Sequence, residues 1–335
     1  MSRCVDIHSH FFPVAILEHL RREGARYRTP VRNEADGRVF ILTPERSYGP
    51  IGRGFYDLDV RRAFMKTAGI DTQVLLAPPF LFYYWLEAEA GLEIVQMEND
   101  AIADVARGDP EHFVGFATVP LQDVRLSILE CERVRARGLR GIEIGSNIDG
   151  VDLDALQFWP FYEAVEALGL AILIHPNNVA GPSRMREFHL MNLVGFPLDT
   201  TLAAARLIFA GVVERFPRLK ICLGQAGGCL PYLVGRFDHG YGARPECRAH
   251  IPKPPSAYAS WFYYDTITHS ATVLRLLLDT VGVDRVMLGS DFPFDMGSRA
   301  PRSVVETQNG LDSEQRARIF ASTAAEFLSA DTAGR

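Results

Sequence analysis

Residues 158–175 read FWPFYEAVEALGLAILIH. In its first part Phe158, Phe161, Tyr162 and Val165 recur at three- and four-residue spacing, the period of a helix with one apolar face. Ala171–His175 is then a short apolar run of strand character, with an imidazole as its last side chain. The same alternation recurs on both sides. Strand-like runs fall at Cys4–His8, Asp71–Ala77, His112–Thr118, Gly141–Ile144, Lys220–Gly224, Phe262–Asp265 and Arg285–Gly289. Helical patterns such as WLEAEAGLEIVQMENDAIADVAR, LSILECERVRAR, TTLAAARLIFAGVVERF and ATVLRLLLDTVG lie among them, with no fixed sequence repeat. Eight strands alternating with helices over 335 residues predict an α/β protein, a single (β/α)8 TIM-type barrel spanning residues 1–335.

Two stretches break the rhythm. Residues 26–57 carry Gly, Pro and Arg around a hairpin-like RVFILTPERSYG, and predict a small inserted lobe after the first strand and its helix, beside the barrel mouth. Residues 177–197 form a long connection after the fifth strand. Long loops after barrel strands lie at the C-terminal face, where active sites of this architecture are built. Residues 311–335 read as a closing helix, SEQRARIFASTAAEFL, and a frayed end.

Composition narrows the function classes. With 47% hydrophobic and 23% charged residues the chain has core material that a disordered protein lacks. A net charge of −6 disfavours nucleic acid and anionic lipid as main partners. The five cysteines are odd in number and unevenly spaced, without a CxxC pair, which speaks against a disulfide framework or a structural zinc site. No secretory apolar segment opens the chain and no run approaches the ~20 apolar residues of a transmembrane helix, so the expectation is a cytoplasmic protein.

The chemistry concentrates at strand ends. In Asp6-Ile7-His8-Ser9-His10 the two imidazoles are two residues apart and face the same side of an extended chain. Such a pair starts a divalent metal site, although local hydrogen bonding at a strand end explains the spacing about as well. His175 closes the fifth strand and Asp291 follows the eighth in RVMLGSDFPF. Three imidazoles and one carboxylate then share one barrel face. That set suits Zn²⁺, with Fe, Mn or Co as weaker options.

The segments DIHSHFFP, VPLQD, GIEIGSN, LIHP, GRFDHGY, YYDTITH and RVMLGSDFPF resemble the amidohydrolase superfamily, and within it the aminocarboxymuconate semialdehyde decarboxylase branch. The resemblance implies a (β/α)8 barrel and a mononuclear metal held by His8, His10, His175 and Asp291. It also implies a lyase that removes CO2 non-oxidatively from an unsaturated or aromatic carboxylic acid. More distant relatives hydrolyse or hydrate, and Asp291 would then serve as base, so a metal-dependent hydrolase or hydratase is the alternative. A catalytically silent partner subunit is a further one.

Two positions depart from the branch pattern. After the sixth strand the family reads G-H-x-G-G with that His as acid/base, whereas this chain has Gly224-Gln225-Ala226-Gly227-Gly228. A primary amide donates hydrogen bonds but exchanges no protons near neutral pH. Glu143 stands where the branch tends to carry Gln, and its place in the strand alternation points it inward. It is either a salt-bridged core carboxylate or a general acid whose pKa burial raises. The resemblance further implies a homodimer in which Arg236 reaches the neighbouring subunit's site, the other option being an ion pair with Asp238. For the family's lobe arginine the nearest candidates are Arg46 and Arg53. The aromatic group Phe80, Phe82, Tyr83, Tyr84 and Trp85 could wall a planar substrate or simply pack. Asp6 is expected to support His8 or His10 from behind, and Asp265 and His269 match a family motif. His19, His112, His189 and His250 read as incidental.

Overall fold

The structure, a computed structural model, describes residues 3–329. Eight parallel strands follow one another around a barrel: β1 (Val5–His10), β2 (Thr72–Leu76), β3 (Phe113–Ala117), β4 (Gly141–Gly145), β5 (Ala171–His175), β6 (Lys220–Leu223), β7 (Tyr263–Asp265) and β8 (Val286–Met287). Backbone bonds from Ile7 N to Leu288 O and from Asp291 N to His8 O, both 2.8 Å, join the first strand to the end of the last. The TIM-type α/β architecture expected from the alternation is therefore present.

The strand period sorts side chains into two layers. Ile142, Ile144, Ile172 and Ile174 face outward and pack with helix residues such as Phe161, Val165 and Leu207. Ile7, Leu76, Phe116, Leu173 and Met287 fill the interior. Phe327, from the closing helical segment Ser313–Leu328, enters this inner cluster, with its ring centroid 5.0 Å from that of Tyr263. Helix starts follow local chemistry: Asp57, Asp123 and Ser270 accept backbone N–H bonds at the first turns of Leu58–Ala68, Val124–Ala136 and Ala271–Val281. The stretch TTLAAARLIFAGVVERF divides into Phe196–Phe209 and Val212–Arg215, because Gly211 takes φ 77° between them.

Strand limits differ from the expectation at both ends of the chain. β1 runs on through His10, so both imidazoles lie on the strand itself. β8 stops at Met287, because the Leu288 N–H bonds to Ile319 O of the closing helical segment.

Between the first helix (Val14–Glu23) and Leu58–Ala68 lies a three-stranded antiparallel sheet, Val31–Asn33, Val39–Leu42 and Ser47–Tyr48. Its Ile41 shares a small core with Phe12, Leu17, Tyr27, Phe55 and Phe80, which seats these strands against the barrel's first and second loops. The five cysteines are free, and no helix of the described residues is long and apolar enough to cross a membrane.

Candidate metal centre

The C-terminal ends of β1 and β5 and the turn after β8 bring four side chains to one point. One ligand atom from each of His8, His10, His175 and Asp291 lies within 4.8 Å of the others, and all four residues are buried. The imidazole centroids are 5.0–5.2 Å apart and the rings stand at 72–83° to one another, edges turned inward. Asp291 reaches the cluster from a left-handed backbone conformation, φ 57°, a strain that accompanies functional positions in non-glycine residues.

The hydrogen-bond partners decide what the cluster fits. His8 Nδ1 lies 2.7 Å from Asp265 Oδ2, His10 Nδ1 3.2 Å from Ala77 O, and His175 Nδ1 2.7 Å from Pro176 O. Each partner is an acceptor, so each Nδ1 carries the proton and each Nε2 presents a lone pair. Two of those, on His8 and His10, are 3.1 Å apart. Asp291 Oδ1 is 3.1 Å from His10 Nε2 yet buried without a hydrogen bond of acceptable angle. Lone pairs and a carboxylate facing one another in a dry site repel unless a cation sits among them. The surroundings favour the neutral form of two of the three imidazoles. Burial, with His10 and His8 beside it, pushes His175 well below the ordinary imidazole value, and burial lowers His10 as well. His8 is raised against the pull of burial by the Asp265 and Asp291 carboxylates. The donor set fits a divalent metal ion held by nitrogen and oxygen.

Asp265 is the outer partner of this cage. Besides His8 it accepts from the backbone N–H groups of Gln225, Ala226 and Ile267 at 2.9, 2.7 and 3.0 Å. Asp6 does not serve the imidazoles as expected. Its oxygens accept from Gln73 Nε2, from the backbone N–H of His8, and from both donors of Ser290, so it ties β1 to the loop after β8. His269 is exposed and does not line the cavity above the cage.

That cavity, about 630 Å³, opens over the cluster. Gln225 lines it, with Nε2 3.4 Å from His175 Nε2 and Oε1 buried without a partner. Arg46 also lines it, donating from Nε to Tyr48 Oη at 2.7 Å, its guanidinium 4.7 and 5.5 Å from the ring centroids of Tyr48 and Phe196. Arg53 does not. Its side chain is 71% exposed and ion-paired with Asp57, the cap of the next helix. Of the aromatic group, Phe80, Phe82, Tyr84 and Trp85 line the cavity, whereas Tyr83 is packed away in the lobe core. Glu143 faces the barrel interior, fully buried with neither oxygen hydrogen-bonded, and is not on the cavity wall. Burial, then the Glu98 and Asp291 carboxylates, raise its pKa well above the ordinary range. Arg236 is exposed on the helix Leu230–Ala243, away from its own chain's cavity, and Asp238 bonds the Ser256 N–H instead of pairing with it.

His189, expected to be incidental, lines the cavity from the long connection after β5, and Asn192 of the same connection and Arg299 of the loop after β8, which the sequence did not single out, line it too. His189 carries φ 58° beside Phe188 at φ 55°, a turn with no glycine to announce it.

An amidohydrolase family model matches residues 5–329. The chain belongs to the amidohydrolase family. This amidohydrolase is 33% identical to a 2-amino-3-carboxymuconate-6-semialdehyde decarboxylase of Dictyostelium discoideum over 98% of its length and 92% of the relative's. It is 30% identical to a gamma-resorcylate decarboxylase of a Polaromonas species, over 76% and 82% of the two chains. Among solved structures it superposes on a 5-carboxyvanillate decarboxylase from Sphingomonas paucimobilis with a TM-score of 0.83 at 25% identity, covering 98% and 99%.

Proposed function

We propose that this chain is a metal-dependent lyase that removes CO2, without oxidation, from a small unsaturated or aromatic carboxylic acid. The observation that carries this reading is the cage of three imidazoles and one carboxylate on the floor of an aromatic-walled cavity. The decarboxylase relatives, which match most of the chain, support the reaction class. His8, His10, His175 and Asp291 would hold the ion, with zinc best suited to three nitrogens and one oxygen and iron, manganese or cobalt less so. Once bound, the ion supplies Lewis-acid polarisation of a substrate oxygen.

The surrounding side chains divide the remaining tasks. Arg46 receives a carboxylate at the mouth, because its terminal nitrogens make no hydrogen bond among the described residues. Phe80, Trp85 and Phe196 flank a planar substrate. Gln225 occupies the place of the family's acid/base His and donates from Nε2 to an oxygen gaining negative charge. Cleaving the carbon–carboxylate bond leaves its electron pair on carbon, and a proton must arrive there as CO2 departs. Gln225 has none to transfer. That proton would come from Glu143, which burial keeps protonated behind the cavity wall and which would need a water to pass it on, or from a water or the substrate itself. The partner is a second copy of the chain, with Arg236 reaching the neighbouring cavity; Tyr232 on the same helix and Leu202 on the adjacent one are apolar surface that such contact would cover.

The test is CO2 release from a panel of hydroxybenzoates and carboxymuconate-like acids by the zinc-loaded chain, its Gln225→His variant and its Glu143→Gln variant. The parental chain should decarboxylate at least one acid. Gln225→His should raise that rate, by roughly 10²-fold if an imidazole takes over proton transfer. Glu143→Gln should depress it by a similar factor. No CO2 from any acid, alongside hydrolysis of a matching ester or lactone, would move the protein to the hydrolase reading. Unchanged turnover in Glu143→Gln would remove that residue from the mechanism.

A further inference from the structure

Arg61, in the helix Leu58–Ala68, is the one cationic side chain among the described residues that is fully buried. No carboxylate touches it. Its Nη1 donates to Ser9 Oγ at 3.0 Å and Gln73 Oε1 at 2.9 Å, and its Nη2 donates to the carbonyls of His10 and, at 3.3 Å, Gly54. The guanidinium lies 5.2 Å from the Phe11 ring centroid and 5.0 Å from that of Phe292. The nearest balancing charge is Asp6, reached through Gln73, whose Nε2 donates to Asp6 Oδ2 at 2.8 Å. A dry guanidinium bonded only to neutral oxygens is a poor stabiliser, since an apolar side chain would fill the same space without the desolvation penalty. What it does possess is a rigid, planar set of donors that lysine cannot reproduce.

Those donors meet the parts that build the centre. Ser9 and the His10 carbonyl belong to the strand end carrying two of the imidazoles. Phe292 follows Asp291 directly, and Gly54 belongs to the segment lining the cavity mouth. Ser9 Oγ spends its own proton on Val74 O, which leaves its lone pair for Arg61 and locks β1 to β2 at the same point. We infer that Arg61 is a positioning residue: its guanidinium fixes the imidazole-bearing end of β1 against the Asp291 turn and the lobe, and thereby sets how tightly the cage holds its ion. This rests on the metal-centre reading above.

The experiment is zinc affinity of the full chain, stripped and then titrated in competition with a chromophoric chelator, for the parental protein, Arg61→Lys and Ser9→Ala. Melting temperatures of the metal-free forms are measured beside it. Arg61→Lys should bind zinc about tenfold to 100-fold more weakly, the range for loss of a metal site's outer support. Ser9→Ala, which removes one contact and keeps the charge, should weaken it by a smaller factor and stands in if Arg61→Lys does not fold. A lower melting temperature with zinc affinity unchanged in either folded variant would make Arg61 a structural residue only and overturn the inference. A parental chain that binds no zinc, manganese, iron or cobalt would instead sink the metal-centre reading, and this inference with it.

Discussion

At the scale of single residues, the cage depends on what stands behind it. Asp265 holds His8 in the tautomer whose Nε2 faces the centre, while its second oxygen accepts from the Ala226 N–H, in the loop carrying Gln225, and from the Ile267 N–H just beyond its own strand. Asp265→Asn keeps the shape and removes the charge that makes Nδ1 a firm donor. Metal affinity should fall about 10- to 100-fold, read by chelator competition, with little change in circular dichroism. Arg46→Ala should lower kcat/KM for the accepted acid by roughly 10- to 100-fold, equivalent to about 1.5–3 kcal/mol for a hydrogen bond to a charged group. Arg46→Lys should recover only part of it, since a point charge replaces a fork. The four cage residues were legible because strand ends of a barrel have a known address: His175 and Asp291 needed only the alternation to place them. Arg53 was not, because nothing in the lobe's spelling tells which arginine an adjacent helix cap will capture. His189 was missed for the same reason, its aim being set by a turn and not by a periodic pattern.

At the scale of elements, the helix Ala88–Gly108 hides a buried carboxyl that its amphipathic period does not reveal. Glu98 is fully buried with both oxygens unbonded, and burial raises its pKa well above the ordinary carboxylate value. In the unfolded chain it titrates at about 4.3. Between that value and the raised folded one the unfolded state holds fewer protons, so this residue makes stability fall as pH rises, by up to about 1.4 kcal/mol per pH unit. Glu98→Gln abolishes that slope. Urea midpoints of the two proteins should lie close at pH 5 and separate in favour of the variant by pH 8, and a constant offset across that range would refute the assignment. Glycine sets another limit. Gly228, at φ 62°, lies in the turn between β6 and the helix Leu230–Ala243, where an added Cβ would sit 2.0 Å from Pro197 O. Gly228→Ala should cost about 2–5 kcal/mol through combined strain and overpacking, visible as a large drop in melting temperature. The helix and strand order was readable from periodicity. Element limits were less so: β8 is cut short by a bond to a segment some thirty residues further along, a contact invisible to any local window.

At the scale of the molecule, one chain offers a cavity with a cage and one lobe arginine, while Arg236 stands in solvent on the helix that follows β6. The family resemblance marked this residue from the sequence, but a single folded chain gives it no hydrogen-bond or ion-pair acceptor among the described residues. In a homodimer with exchanged arginines, each site would draw its ion ligands from one subunit and Arg236 from the other. That arrangement makes a prediction no monomer shares. Arg236→Ala alone should leave both sites of its homodimer without the neighbour's arginine, and Asp291→Asn alone should leave both without a complete cage. Coexpressed in equal amounts, the two inactive chains pair at random. Half of the dimers are then mixed, and each mixed dimer carries one intact site, so about a quarter of parental decarboxylation should return, as the two-fold symmetry requires. Mass in solution measured by light scattering fixes whether the dimer exists at all. Activity that stays at the level of the separate variants, in a preparation shown to contain mixed dimers, would mean that Arg236 serves no neighbouring site and that each barrel works with its own residues alone.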